Sequence, residues 1–189
     1  MSNTGQGNRV LVAVTGGIAA YKTCALVSRL TQTGRDVTVL MTDAAQRFVT
    51  PLTFEALSGH AVHTSLWHQL GEHESQHIAL ARNTDLLIIA PASANTLAKL
   101  AHGIADNVVT TVALAMPRSP IVTPVLLAPA MNADMWANPL TQRNLVILRD
   151  ELGWHTIGPD TGWQACRTSG PGRMAEPDAI FQQAVALLR

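Results

Sequence analysis

Charge is scarce in this chain. Only 14% of its 189 residues are Asp, Glu, Lys or Arg, thirteen of each sign, and the formal net charge is zero. Without an excess positive field to draw phosphate, a generic nucleic-acid binder or anionic-membrane binder is disfavoured. Cysteine is scarcer still: Cys24 and Cys166 are too few for a disulfide framework. No apolar run approaches the about 18 residues that a membrane helix needs. The most apolar stretch, 108–130, is broken by Pro117, Arg118, Pro120 and Pro124. The chain opens without a basic segment and apolar run, so no secretory leader is expected. These absences point to a soluble protein of a reducing compartment, the cytoplasm. What the chain does have is 47% hydrophobic residues, enough for a sizeable core and too many for disorder. Its length suits one domain. So few charges leave little to keep a lone monomer soluble, which points to an oligomer with buried faces.

Apolar β-branched runs alternate with helical periodicity along the chain. Strands are expected at Arg9–Val14, Asp36–Met41, Asp85–Ala90, Pro124–Ala128 and Trp154–Ile157. Helices are expected at Ile18–Gln32, Ala44–Val49, His77–Arg82, from Leu97 onward, Asn107–Met116, Pro139–Leu152 and Pro177–Leu188. Thr53–Leu57 reads as a turn, Pro91–Thr96 as a loop, Ser58–Ser75 as a polar loop and Gly158–Gly172 as a Gly- and Pro-rich segment. Residues 1–8 read as a flexible polar tail and 9–189 as one domain. Continuous apolar strands separated by helices indicate an α/β, doubly wound parallel sheet covered on both faces. Ligands of such sheets gather at the carboxyl ends of the strands.

Four segments near those ends carry unusual residues. In TGGIAAYK after the first strand, glycines would let backbone amides approach a phosphate, or simply make a tight turn. Ser93, Asn95 and Thr96 after the third strand can cap a helix or hold a phosphate and a sugar. APAMNADMW after the fourth strand places Asn132, whose amide can bind a carboxylate or carbonyl, beside Met135 and Trp136, which could face a flat cofactor or fill core. Cys166 in a Gly/Pro-rich segment is a better redox candidate than Cys24, which sits on an apolar helix and reads as core filling. The seven histidines include His73 and His77 at i, i+4, but no HExxH pattern supports a metal site, and none is expected. A Ser–His–Asp triad lacks its GxSxG elbow.

Taken together, the stretches at 16–22, 42–54, 77–78, 91–96, 129–136 and 170–177 resemble the homo-oligomeric flavin-containing cysteine decarboxylase family over about 9–177. The PxMNxxMW pattern at 129–136, with a histidine upstream and a cysteine downstream, is the most specific part. The resemblance implies a flavodoxin-like fold and FMN as cofactor, with Gly17, Ile18, Ala19, Thr42, Ala44, Ser93, Ala94, Asn95, Thr96 and Ala130 in contact with it. It implies phosphopantothenoylcysteine, a coenzyme A precursor, as substrate, contacted by Asn132, Met135, Arg173 and Met174. His77 would be the acid/base of the thiol-oxidation step, and Cys166, on a flap near 158–177, would return a proton at the end. The family also implies a homotrimer or a dodecamer of trimers with its sites at subunit interfaces. The phosphopantothenate–cysteine ligase that makes the substrate would be a separate protein. The family usually has Gly after the flap cysteine; here it is Arg167. Peptidyl-cysteine decarboxylation, flavin prenyl transfer and a non-catalytic flavin-binding regulator are the competing readings. The retained GPGRMAEP segment favours the small substrate.

Overall fold

Alternate residues of a strand face opposite sides of its sheet, and here both sides are apolar. In β1 (Arg9–Val14), Val10, Val12 and Val14 join one buried cluster while Leu11 and Ala13 join another. The same division runs through β2 (Asp36–Met41), β3 (Leu86–Ala92) and β4 (Val125–Pro129), and a short β5 (His155–Thr156) ends the row. A computed structural model describes residues 8–67, 75–119 and 122–188. The expected polar tail therefore lies, but for Asn8, outside the described residues, as do His68 and His73. All pairings in this sheet are parallel, in the order β2-β1-β3-β4-β5. That is the flavodoxin-like order, with its topological switch between β1 and β3.

One face is covered by α1 (Ala20–Gln32), α2 (Asp43–Gln46), α3 (Pro51–Ser58) and α9 (Pro177–Leu187). The other is covered by α4 (Gln76–Arg82), α5 (Ala94–Ala101), α6 (Val108–Leu114) and α8 (Pro139–Val146). A five-residue α7 (Ala133–Ala137) lies between β4 and α8. No helix among the described residues is long and apolar enough to cross a membrane.

Several local expectations need correcting. The turn expected at Thr53–Leu57 is the middle of α3, which starts on Pro51 at its first position and closes at Gly59 with φ of 76°. Both are ordinary helix-end signals. The loop expected at Pro91–Thr96 shrinks to Ser93, because Pro91 and Ala92 extend β3 and Ala94 opens α5. The β3–β4 register slips between Ile89 and Ala92, across Pro91, which has no amide hydrogen to give the ladder. The helix expected over Pro139–Leu152 is α-helical only to Val146 and then widens into a π-helical turn, Ile147–Glu151. The Gly- and Pro-rich segment is an antiparallel hairpin of β6 (Asp160–Trp163) and β7 (Ser169–Arg173).

Candidate active site

The carboxyl ends of β1 and β3 are tied together by threonine hydroxyls, and β4 joins them through the backbone. Thr15, fully buried, donates to the Pro91 carbonyl at 2.6 Å and accepts from the Ser93 amide at 3.0 Å. Thr23 on α1 donates to the Ala90 carbonyl at 2.8 Å. The Ala130 amide donates to the Ala92 carbonyl at 3.2 Å. These bonds fix the floor of a cavity of about 1230 Å³. That exceeds the roughly 300–1,000 Å³ of a typical single-ligand pocket, so it has room for a cofactor and a substrate together.

Four loops line it. From the β1–α1 loop come Gly17, Ile18 and Ala19; from the start of α2, Thr42 and Ala44. The β1–α1 loop lies so close to α2 that a Cβ on Gly16 would stand 2.5 Å from that of Ala44, whereas one on Gly17 would meet nothing within 4 Å. Gly16 is thus needed for packing and Gly17 borders open space. Ser93, Ala94, Asn95 and Thr96 line the next side and Ala130 the one beyond. Some of these hydroxyls also cap helices. Thr42 accepts from the Ala45 amide at 3.2 Å, and Ser93 accepts from the Thr96 amide at 3.3 Å. The wall holds Lys22, Lys99, Arg167 and Arg173 against only Asp43 and Asp106. Glu176, behind the wall, pairs with both Lys22 and Arg173, so in a neutral chain the site keeps an excess of one cation, which suits an anionic ligand. Lys99 pairs with Asp106 at 2.6 Å and holds that carboxyl below its usual range.

The β6–β7 hairpin closes the remaining side. Its turn carries Cys166, and Arg167 beside it has φ of 65°, the one non-glycine positive φ among the described residues. This explains in backbone terms why glycine suits that position. Gln164, 7% exposed, holds the hairpin down. Its Oε1 accepts from the Ala133 amide at 3.1 Å, and its Nε2 donates to the Gly170 and Pro171 carbonyls at 3.3 and 2.8 Å. The Met131 amide donates to the Gly172 carbonyl at 2.9 Å. A Cβ on Gly172 (φ 136°) would collide with the Met131 carbonyl.

Asn132 and Cys166 meet here. Asn132 Oδ1 accepts from the Asp134 and Met135 amides at 2.8 and 3.2 Å, capping α7. The cap fixes the amide's orientation and leaves Nδ2 to donate to Cys166 Sγ at 3.5 Å. The Thr168 hydroxyl lies 3.0 Å from the same sulfur. The Thr168 hydroxyl first, then the Asn132 amide, pull the Cys166 thiol below its usual pKa by favouring the thiolate. Cys24 is the reverse: burial pushes its thiol up.

Of the residues given a site role from sequence, all but His77 and Trp136 border this one cavity, and Trp136 packs against the second core cluster instead. Met174 reaches the wall, yet its side chain is 1% exposed within the core. Arg173 is held by Glu176 at 3.0 Å. Met135, 48% exposed, stands at the rim. His77 sits on α4, away from the cavity of its own chain. Sequence reasoning did not single out Thr15, Thr23, Lys99 or Gln164 as site residues. The threonines stand at a strand end and within an apolar helix stripe, a faint signal. Gln164 gave none, because a glutamine two residues before a cysteine has no distinctive chemistry.

A family model described as Flavoprotein matches residues 1–189. A Streptococcus mutans protein named probable phosphopantothenoylcysteine decarboxylase is 46% identical over 175 residues, covering 93% of this chain and 96% of that one. The Bacillus subtilis coenzyme A biosynthesis bifunctional protein CoaBC is also 46% identical over 175 residues; the match covers 93% of this chain but 42% of that longer protein. Among solved structures, a cysteine-to-serine variant of PPC decarboxylase complexed with pantothenoylaminoethenethiol is 36% identical, with a TM-score of 0.83, over 96% of this chain and 98% of that one. By its fold, its strand-end cavity and its sequence, this chain belongs to the flavoprotein family.

Proposed function

We propose that this chain is an FMN-dependent carboxy-lyase that converts phosphopantothenoylcysteine to phosphopantetheine in coenzyme A biosynthesis. The observation that carries the reading is the meeting of Asn132 Nδ2 and the Cys166 thiol at 3.5 Å, at the edge of a cationic strand-end cavity of a flavoprotein fold. The cavity fits FMN: glycine and alanine at the loops leave space, hydroxyls and amides cluster at 93–96, and the sheet order is that of flavodoxin-like FMN proteins. Ser93, Ala94, Asn95 and Thr96 would hold its phosphate and ribityl chain, with Gly17, Ile18, Ala19, Thr42, Ala44 and Ala130 around it.

Bound FMN supplies a two-electron acceptor and donor for a thiol substrate. The need for it is chemical. A cysteinyl carboxylate has no electron sink, so direct loss of CO₂ leaves an unstabilised carbanion. Once the thiol is a thioaldehyde, the carboxylate lies β to C=S, and CO₂ departs to give a delocalised enethiolate. The protein's part is to orient and to move protons. Asn132, its carbonyl committed to the helix cap, offers NH₂ protons to the substrate carboxylate. His77 takes or gives a proton at the oxidation step, since an imidazole has one nitrogen that accepts and one that donates. Cys166 delivers a proton to the enethiolate carbon when the product is reduced, and its Thr168 and Asn132 hydrogen bonds stabilise the thiolate left behind.

His77 lies outside the cavity of its own chain, so a second copy supplies it. Ile18 (59% exposed), Tyr21 (61%) and Leu52 (72%) present apolar surface near the first loop, and such surface invites burial. The assembly is a homotrimer or a dodecamer of trimers acting in the cytoplasm, and a phosphopantothenate–cysteine ligase supplies the substrate.

The test is the product mass after anaerobic incubation of the purified holoprotein with phosphopantothenoylcysteine, beside a His77→Asn control. Loss of CO₂ alone, absent in the control, is the expected result. Loss of CO₂ and two hydrogens would place the failure at proton return by Cys166. Unchanged substrate with flavin bound would overturn the reading, and conversion of a peptide ending in cysteine would replace it.

A further inference from the structure

The sheet's outer edge is extended by one residue beyond its strands. His63 pairs in parallel with Leu40: its amide donates to the Val39 carbonyl at 2.9 Å, and its carbonyl accepts from the Met41 amide at 2.9 Å. The backbone of His63 is therefore as fixed as β2, and its half-buried imidazole projects from a rigid base. Gln76 Nε2 lies 2.5 Å from His63 Nδ1. Gln76 Nε2 can only donate, so the contact requires the neutral tautomer with its proton on Nε2 and Nδ1 accepting, and burial, which holds the imidazole below its usual pKa, favours the neutral form.

Gln76 is the first residue of α4, and α4 needs an anchor. It has seven residues, and its N-cap, Ser75, makes no side-chain capping bond. A helix that short has little stability of its own. Its far end is held: Thr84 donates to the Leu80 carbonyl at 2.6 Å and Ala81 is buried. At the near end the Gln76–His63 bond does that work. Gln76 Oε1 is buried with no partner among the described residues. The amide therefore sits in a costly position, held by its other end alone. The next residue in the chain is His77.

We infer that His63 is a positioning residue for His77: it holds the first turn of α4 to the sheet edge through the Gln76 amide and so sets where the His77 imidazole is presented. This rests on the reading of His77 as the acid/base group. A proton-transfer group displaced by about 1 Å can lose on the order of a hundredfold in rate. Effects routed through a neighbour should therefore fall on kcat and spare the ligand-binding loops.

The experiment compares His63→Phe, which keeps the ring volume but removes the acceptor, with His63→Asn, whose Oδ1 can replace Nδ1 as an acceptor. Both are measured as FMN-loaded protein, with His77→Asn as reference. Phosphopantothenoylcysteine turnover by His63→Phe should fall about ten- to a hundredfold in kcat, with KM and FMN content unchanged and the melting midpoint lowered by only a few degrees, as the Gln76 amide loses its partner. His63→Asn should recover most of the rate. In ¹⁵N-histidine spectra the His77 ring signal, assigned by its loss in His77→Asn, should shift in His63→Phe and return in His63→Asn. Wild-type kcat in His63→Phe beside an inactive His77→Asn would overturn the inference. So would a loss of bound FMN together with a raised KM, which would mark His63 as merely structural. If His77→Asn were itself fully active, the acid/base reading would fail instead, and an unmoved His77 signal would still overturn the positioning role.

Discussion

Replacing Gln164 by leucine should unfasten the hairpin while leaving the domain folded. The side chain makes three hydrogen bonds to nitrogen or oxygen partners: from the Ala133 amide, and to the Gly170 and Pro171 carbonyls. Leucine keeps the bulk and loses all three. At about 1 kcal/mol net for each, and with two sharing one donor nitrogen, the loss is about 2–3 kcal/mol. The strands of this hairpin pair with each other and belong to neither sheet-face cluster, so the loss falls on local opening rather than on global unfolding. At about 1.4 kcal/mol per factor of ten, exchange of the hairpin amides should speed up roughly 30- to 150-fold. The reporters are the Gln164 amide bonded to Thr168 (2.8 Å), the Arg167 amide bonded to Gln164 (2.9 Å) and the Met131 amide bonded to Gly172 (2.9 Å). Hydrogen exchange read by mass spectrometry or NMR resolves them from the amides of β1 and β3. Unchanged protection in the hairpin would refute the assignment of Gln164 as its fastener. Equal acceleration across the parallel sheet would refute the claim that the hairpin opens alone.

Thr168→Val should raise the pH midpoint of Cys166 alkylation, because its hydroxyl is the largest influence holding the thiol down; a smaller rise should follow Asn132→Leu, and no change in either variant would dismiss the hydrogen-bond account. Arg167→Gly should stabilise the turn, since a side chain at φ of 65° costs about 1–2 kcal/mol, part of which is returned as extra freedom of the unfolded glycine; slower exchange of the Arg167-position amide is the readout. Asp85 is held below its ordinary pKa: burial pushes it up, but the Arg9 amide and guanidinium and the Asn8 amide outweigh that. A folded pKa below the unfolded one means stability present above the unfolded value of about 3.9 and lost as pH falls through the folded one. Denaturant midpoints of Asp85→Asn should therefore fall below wild type near neutrality, with the two converging in acid.

The parallel core was legible because its strands are runs such as VLVAV and LLIIA, which serve two apolar faces and hold few polar residues. Helix ends were less so. Pro51 and Gly59 mark both ends of α3, but its apolar residues do not follow a helical stripe: Phe54 and Ser58 are buried while Leu52 is exposed. The hairpin was illegible for a different reason: Ser169-Gly170-Pro171-Gly172 has no strand propensity, and the strand is held by the Gln164 side chain from the hairpin's own turn and by the Met131 amide from outside it. The cavity's rim was readable from Asn132, Cys166 and Ser93–Thr96, residue types whose chemistry exceeds what a turn needs. Its supports, Thr15 and Gln164, act through contacts that no spacing encodes. His77 was legible only by resemblance, and its place on α4, outside the lining of the cavity, shows why.

Asn132 divides its labour between two atoms, one oxygen for the helix and one nitrogen for the thiol. Inheritance can therefore separate the two. An aspartate, serine or threonine at 132 would still cap α7, so a descendant freed from turnover would keep its shape and its cofactor cavity while losing only the donor that faces Cys166. Such drift would leave no mark on expression or folding and would escape any screen for stability. At position 132 shape and chemistry thus rest on different atoms of one side chain, and a substitution can remove one while sparing the other.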